Sequence, residues 1–239
     1  MKKNTLLLLS GVALLTAQPQ AWATDYEITV TNLTRGIHFT PVLLAAHADS
    51  AQIFSAGTAA SPELQAVAEG GDISSLQALL EGLGANVAAG AGLIAPGSSE
   101  SFSLSNTASP DNTRLSAVSM LLPTNDGFAG LNSAMLPTGA VGTSMTFNVL
   151  GYDAGTEAND ELVGSGAPGE AGFPAPPPVV ATGTGTGGTG VASESEGFVH
   201  VHRNVLGDND SAAGVSDINS TVHRWLNPVA RITVTISGN

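Results

Sequence analysis

"DYEITVTNLT", Asp25 to Thr34, sets Tyr26, Ile28 and Val30 between Glu27, Thr29 and Thr31. A period of two is that of a strand with one buried and one solvated face, so the chain begins its folded part as β structure. Downstream, "IHFTPVLLAAH" (Ile37 to His47) continues as extended chain, with Pro41 marking an edge or a bulge because it has no N–H for a ladder. The period then changes. In "SPELQAVAEGGDISSLQALLEGLG", Ser61 is an N-cap, Pro62 occupies the first helical position, and Leu64, Val67 and Ala68 share one face. Gly70 and Gly71 end that helix, and a second short one is predicted from about Ser74 to Glu81.

Strand signals return in "SFSLS" (Ser101 to Ser105), "RLSAVSMLL" (Arg114 to Leu122), "SMTFNVLGY" (Ser144 to Tyr152), "GFVHVHRNV" (Gly197 to Val205) and "NPVARITVTI" (Asn227 to Ile236). Together with the first two segments they make seven strand candidates separated by turn residues. That pattern predicts an all-β antiparallel sandwich with one or two short helices inserted as a connection. Gly164 to Gly197 is rich in Gly, Pro and Thr and too poor in apolar surface to offset ordering, so it reads as a long disordered loop between strands.

Upstream of Asp25, "MKKNTLLLLSGVALLTAQPQAWA" has two lysines, an apolar run and Ala21-Trp22-Ala23. This is the pattern of a signal peptide over residues 1–23, leaving residues 24–239 as one exported domain, periplasmic or extracellular and expected to be a monomer. No later run is long and apolar enough for a membrane span. The chain has no cysteine, which removes disulfides, thiolate metal sites and a Cys nucleophile. Beyond the signal segment, five arginines face 20 acidic residues, and 5 − 20 gives a formal net charge of −15. That balance disfavours nucleic acid and favours cation binding.

The sequence contains no G-x-S-x-G, no H-E-x-x-H and no lysine outside the first three residues, so it reads as a non-enzyme. Two groups of residues remain. His200 and His202 stand two apart on a predicted strand, where both imidazoles would leave one face, Val199 and Val201 facing the core. They form a candidate zinc or copper pair, or a metalloenzyme site, with a third ligand from His223, His47 or an acid. The alternative for the pair is two surface histidines on a solvated face. The acids of "GYDAGTEANDE" and of "LLPTNDGFAGLN" sit in turns, where Asp153 and Glu157 can turn inward within one loop and Asp126 can approach from a neighbouring one. Two or three carboxylates with backbone carbonyls and water suit Ca²⁺, although acids in such turns are also ordinary solvated residues.

"NLTRGIHFTPVLLAAH", "LSAVSMLLPTNDGFAGLN", "YDAGTEANDE" and "NPVARITVTI" occur in an order that resembles spondin domains, the module of F-spondin, mindin and many bacterial exported proteins. The resemblance runs from about Tyr26 to Ile236, apart from the Gly/Pro/Thr loop. It implies a C2-like β-sandwich with Ca²⁺ held between loops at one end, its ligands falling on Asp126, Asp153 and Glu157. Gly127 stands where the family has a bulky aromatic, and Glu157 where it has Asp. The function implied is an exported, non-catalytic calcium-binding module that recognises a polysaccharide, a matrix component or a surface protein.

Overall fold

The computed structural model describes residues 24–106 and 111–238; the expected signal peptide, residues 1–23, lies outside them. The alternation of the first strand, β1 (Asp25–Asn32), is realised as sidedness: Tyr26, Ile28 and Val30 are buried, and Glu27 is exposed. Pro41 splits the next extended segment into β2 (His38–Phe39) and β3 (Leu43–His47). The helices form where their caps predict. In α1 (Pro62–Gly70) the Ser61 hydroxyl accepts from the Leu64 N–H, and Gly71 closes the helix at φ 69°, a left-handed conformation that costs glycine little. Next come α2 (Ser74–Gly82) and the short β4 (Asn86–Ala89).

The remaining strands are β5 (Ser99–Ser105), β6 (Arg114–Leu122), β7 (Gly127–Met135), β8 (Ser144–Asp153), β9 (His200–Val201) and β10 (Ala230–Gly238). They hydrogen-bond in the order β4-β3-β6-β7-β8-β10-β1-β5, with β2 added on β6 and β9 on β8. Every pairing is antiparallel. The two ends of this path, β4 and β5, come back into contact, so the sheet wraps around its core in an all-β, sandwich-like fold, nearly a barrel.

Ile28, Val30, Phe39, Leu44, Leu115, Leu121, Val149, Ile232 and Val234 fill the inside. On the outside of β3 and β6, Leu64, Val67, Leu76 and Leu80 of the helices cover Leu43, Ala45 and Val118. Both faces of β3 are therefore buried, which is why Leu43 to Ala46 are all apolar instead of alternating.

Three features depart from the sequence reading. The strand β7 is absent from the sequence's strand candidates, because "GFAGLNSAM" is too small and mixed to show a period. The strand expected over Gly197 to Val205 shrinks to two residues, and its faces differ from expectation. Val201 is 49% exposed, whereas Val199 and His202 are buried, because the chain leaves the sheet after Val201 and the Asn204 amide folds back onto His202. The Gly/Pro/Thr segment is irregular, as a loop should be, but it is not a free chain. Phe173 and Val179 are fully buried, Val163 and Phe173 form a bridge, and α3 (Pro177–Val180) is one turn of helix. Two apolar anchors are enough to pin a segment whose average composition argues against packing.

Candidate metal centre

The end of the sheet where β6 turns into β7 and β8 stops gathers the acids. The Thr124 hydroxyl donates to the Leu121 carbonyl and accepts the Gly127 N–H, which fixes the turn that carries Asp126. Gly127 pairs with Asp153, the last residue of β8, so Asp126, in the turn just before β7, sits at the same end of the sheet as Asp153. The Ala154 N–H then donates to the Asp126 carbonyl, and the chain folds over it through Gly155 at φ 68°.

Asp126 is completely buried. Its Oδ2 accepts the N–H groups of Thr156 at 2.7 Å and Glu157 at 3.1 Å, whereas its Oδ1 has no hydrogen-bond partner. Burial first, and then the Asp153 charge, push its carboxyl up to about 8 in spite of those two donors. Asp153, equally buried, accepts from the Gly155 N–H at 2.9 Å and from the Asn159 amide at 2.9 Å, and burial raises its carboxyl too. Glu157 takes the Asn125 amide and the Gly172 N–H on Oε1, and its Oε2 is buried without a partner. The longer arm of Glu157 thus reaches toward the Gly/Pro/Thr loop. Burial is also the main reason its carboxyl is raised.

The histidines arrive by β9 pairing with β8, which sets His200 opposite Asp153. His200 Nδ1 lies 3.8 Å from Asp153 Oδ1, and His202 Nε2 lies 3.8 Å from Asp153 Oδ2. The two sequence-derived candidates, the carboxylates and the His pair, therefore meet at one residue. They are not equivalent. The Asn204 N–H donates to His202 Nδ1 at 2.9 Å, which places the proton of the neutral ring on Nε2. Burial, followed by the His200 and Arg203 charges, lowers this imidazole to about 3, so the ring is neutral. Without a metal, His202 thus faces Asp153 with an N–H. His47 and His223, the suggested third ligands, are engaged elsewhere, with Ser116 and with Thr182.

Among the described residues, one group of side chains brings a ligand atom from each member within 4.8 Å of the others: Asp153, Glu196 and His200. Asp126 and Glu157 lie outside that group. Glu196 was not singled out by the sequence, where it stands in "SESEG" within the low-complexity segment. It is tied in by the Asn159 amide, which donates to Asp153 Oδ2 at 2.9 Å and to Glu196 Oε1 at 3.4 Å. For a hard cation, the fit rests on the two buried carboxylate oxygens, Asp126 Oδ1 and Glu157 Oε2, that no protein donor satisfies. Oxygen atoms of this kind are what Ca²⁺ takes.

Residues 18–164, more than half of the 239, match the spondin N-terminal family, Spondin_N. The chain belongs to that family. No curated protein matches it. The spondin match contains Asp126, Asp153 and Glu157 and stops where the Gly/Pro/Thr segment begins, so Glu196, His200 and His202 reach this spondin domain from chain outside the matched part.

Proposed function

We propose that this protein is a non-catalytic recognition module that works outside the cytoplasm and binds Ca²⁺ through Asp126, Asp153 and Glu157. Spondin domains are extracellular recognition modules, and among the described residues no helix is long and apolar enough to cross a membrane. The observation that carries the calcium reading is the pair of buried, partnerless carboxylate oxygens on Asp126 and Glu157, on either side of Asp153 in the chain. Buried carboxylates raise one another's pKa, and a divalent cation removes that cost while pinning the β6–β7 turn to the loop after β8. The loops so fixed form one end of the sandwich and are offered to a polysaccharide, matrix or surface-protein partner. Partner recognition of this kind uses loops held by a rigid scaffold.

Calorimetry on the protein stripped with EDTA tests the ion. Added Ca²⁺ should raise the melting temperature, by an amount worth about 4 kcal/mol once the ion is a thousandfold above its dissociation constant. No shift with wild type, or an undiminished shift with Asp126→Asn, overturns the assignment.

A further inference from the structure

We infer that Asp153, Glu196 and His200 form a second cation site at the mouth of the carboxylate pocket, one that selects a borderline transition ion of the Zn²⁺ class. The inference shares Asp153 with the calcium reading but needs neither Asp126 nor Glu157, so the two can fail separately.

The geometry is that of a set one small side-chain adjustment from coordination. The ligand atoms lie within 4.8 Å of one another, and two ligands on a single zinc ion are at most about 4 Å apart. The three residues come from separate parts of the chain: the end of β8, the loop before β9, and β9 itself. The Asp153↔His200 register and the Asn159 amide, which spans Asp153 and Glu196, hold them together. His202 Nε2 lies beside the set, 3.8 Å from Asp153 Oδ2, but with the Asn204 N–H donating to its Nδ1 it presents an N–H there and is not counted among the ligands.

One imidazole and two carboxylates are the ligand types zinc accepts, whereas Ca²⁺ does not take imidazole nitrogen readily. The burial gradient sets the outlook of the ion: Asp153 is buried, His200 half-buried and Glu196 exposed. Three protein ligands on a tetrahedral ion leave a fourth position, and here that position faces solvent, open to water or to a donor group from another molecule.

The test is a competition titration of Zn²⁺ against a chromophoric chelator, using the EDTA-treated protein without a His-tag. One zinc ion per chain is expected. Glu196→Gln and His200→Ala should each weaken binding at least tenfold, and Glu81→Gln, exposed on α2 and away from both sites, should leave it unchanged. Both altered side chains reach the surface, and unchanged metal-free melting temperatures verify that the variants fold. Zinc bound equally well by either of those two variants, or no zinc bound at micromolar concentration, overturns the inference. Ca²⁺ titrations run beside it separate the two readings: loss of the calcium response with zinc retained removes the calcium site alone, and the reverse result removes this one.

Discussion

Gly127 and His202 share one volume: a Cβ on Gly127 would lie 3.0 Å from His202 Cδ2 and 2.5 Å from the Thr124 hydroxyl oxygen. The imidazole of His202, packed edge-on against Trp225 at 5.1 Å, lies against that side of the turn. A side chain at 127 must therefore displace Thr124 or His202. We expect Gly127→Ala to cost about 1–3 kcal/mol in denaturant unfolding, the range for overpacking. Adding His202→Ala should recover part of that loss, and strict additivity of the two substitutions would show that the residues do not share space.

Asp126→Asn separates the electrostatic strain from the hydrogen bonds. The amide oxygen can still accept from Thr156 and Glu157 while the charge disappears. With the carboxyl raised to about 8, ionisation at neutral pH works against the fold. The metal-free variant should thus be more stable than wild type at pH 8, by at least about 1.4 kcal/mol, the equivalent of one pKa unit. A variant no more stable than wild type at that pH would place Asp126 in a wetter environment than the structure shows.

His223 controls the acid side. Burial lowers its imidazole from 6.5 to about 4, its Nδ1 accepting the Asn219 N–H and its Nε2 lying 2.9 Å from the Thr182 hydroxyl. A depressed folded-state pKa means the unfolded chain takes up the proton first. Its contribution is complete above pH 6.5 and is lost as the pH falls toward 4, at up to about 1.4 kcal/mol per pH unit. His38, also lowered by burial, adds to the same slope. His202 acts in the same direction and the raised carboxyls of Asp126, Asp153 and Glu157 act in the opposite one, so the readout is a difference: relative to His223→Gln, wild type should lose urea-midpoint stability between pH 7 and pH 4, and a difference that does not change with pH overturns the assignment.

Phe173 tests whether the Gly/Pro/Thr segment is part of the fold. Its side chain is fully buried in the main core. Phe173→Ala should cost about 3–5 kcal/mol, the usual range for a buried phenylalanine. It should also open residues 164–197 to limited proteolysis. A loss under 1 kcal/mol would mean that the segment is only laid on the surface.

Legibility in the sequence followed the local signals. β1, β6 and α1 are readable because one face alternates, one run is mostly apolar and ends in Met120-Leu121-Leu122, and Ser61 with Pro62 marks a helix start. β7 and β4 are not, since their mostly small, mixed residues carry no period, and β4 is only four residues long. The packing of Phe173 and Val179 is likewise a tertiary fact hidden by a composition dominated by Gly and Thr. At the site, Asp126 and Asp153 could be named from their turns and from the resemblance to spondin domains. Glu196 could not, because only the β8–β9 pairing and the Asn159 bridge give one glutamate of a Ser/Glu stretch a position.

The placement of β10 has a consequence for how the molecule comes into being. The last strand in the chain is not at an edge: it lies between β1 and β8, hydrogen-bonded to both. Until it arrives, the first strand and the strand bearing Asp153 have no ladder between them, and the barrel-like wrap has a gap at its centre. The sheet closes last through its longest-range contacts, which are the slowest to form. A chain emerging stepwise from a ribosome therefore keeps the sheet open between β1 and β8 until β10 is available.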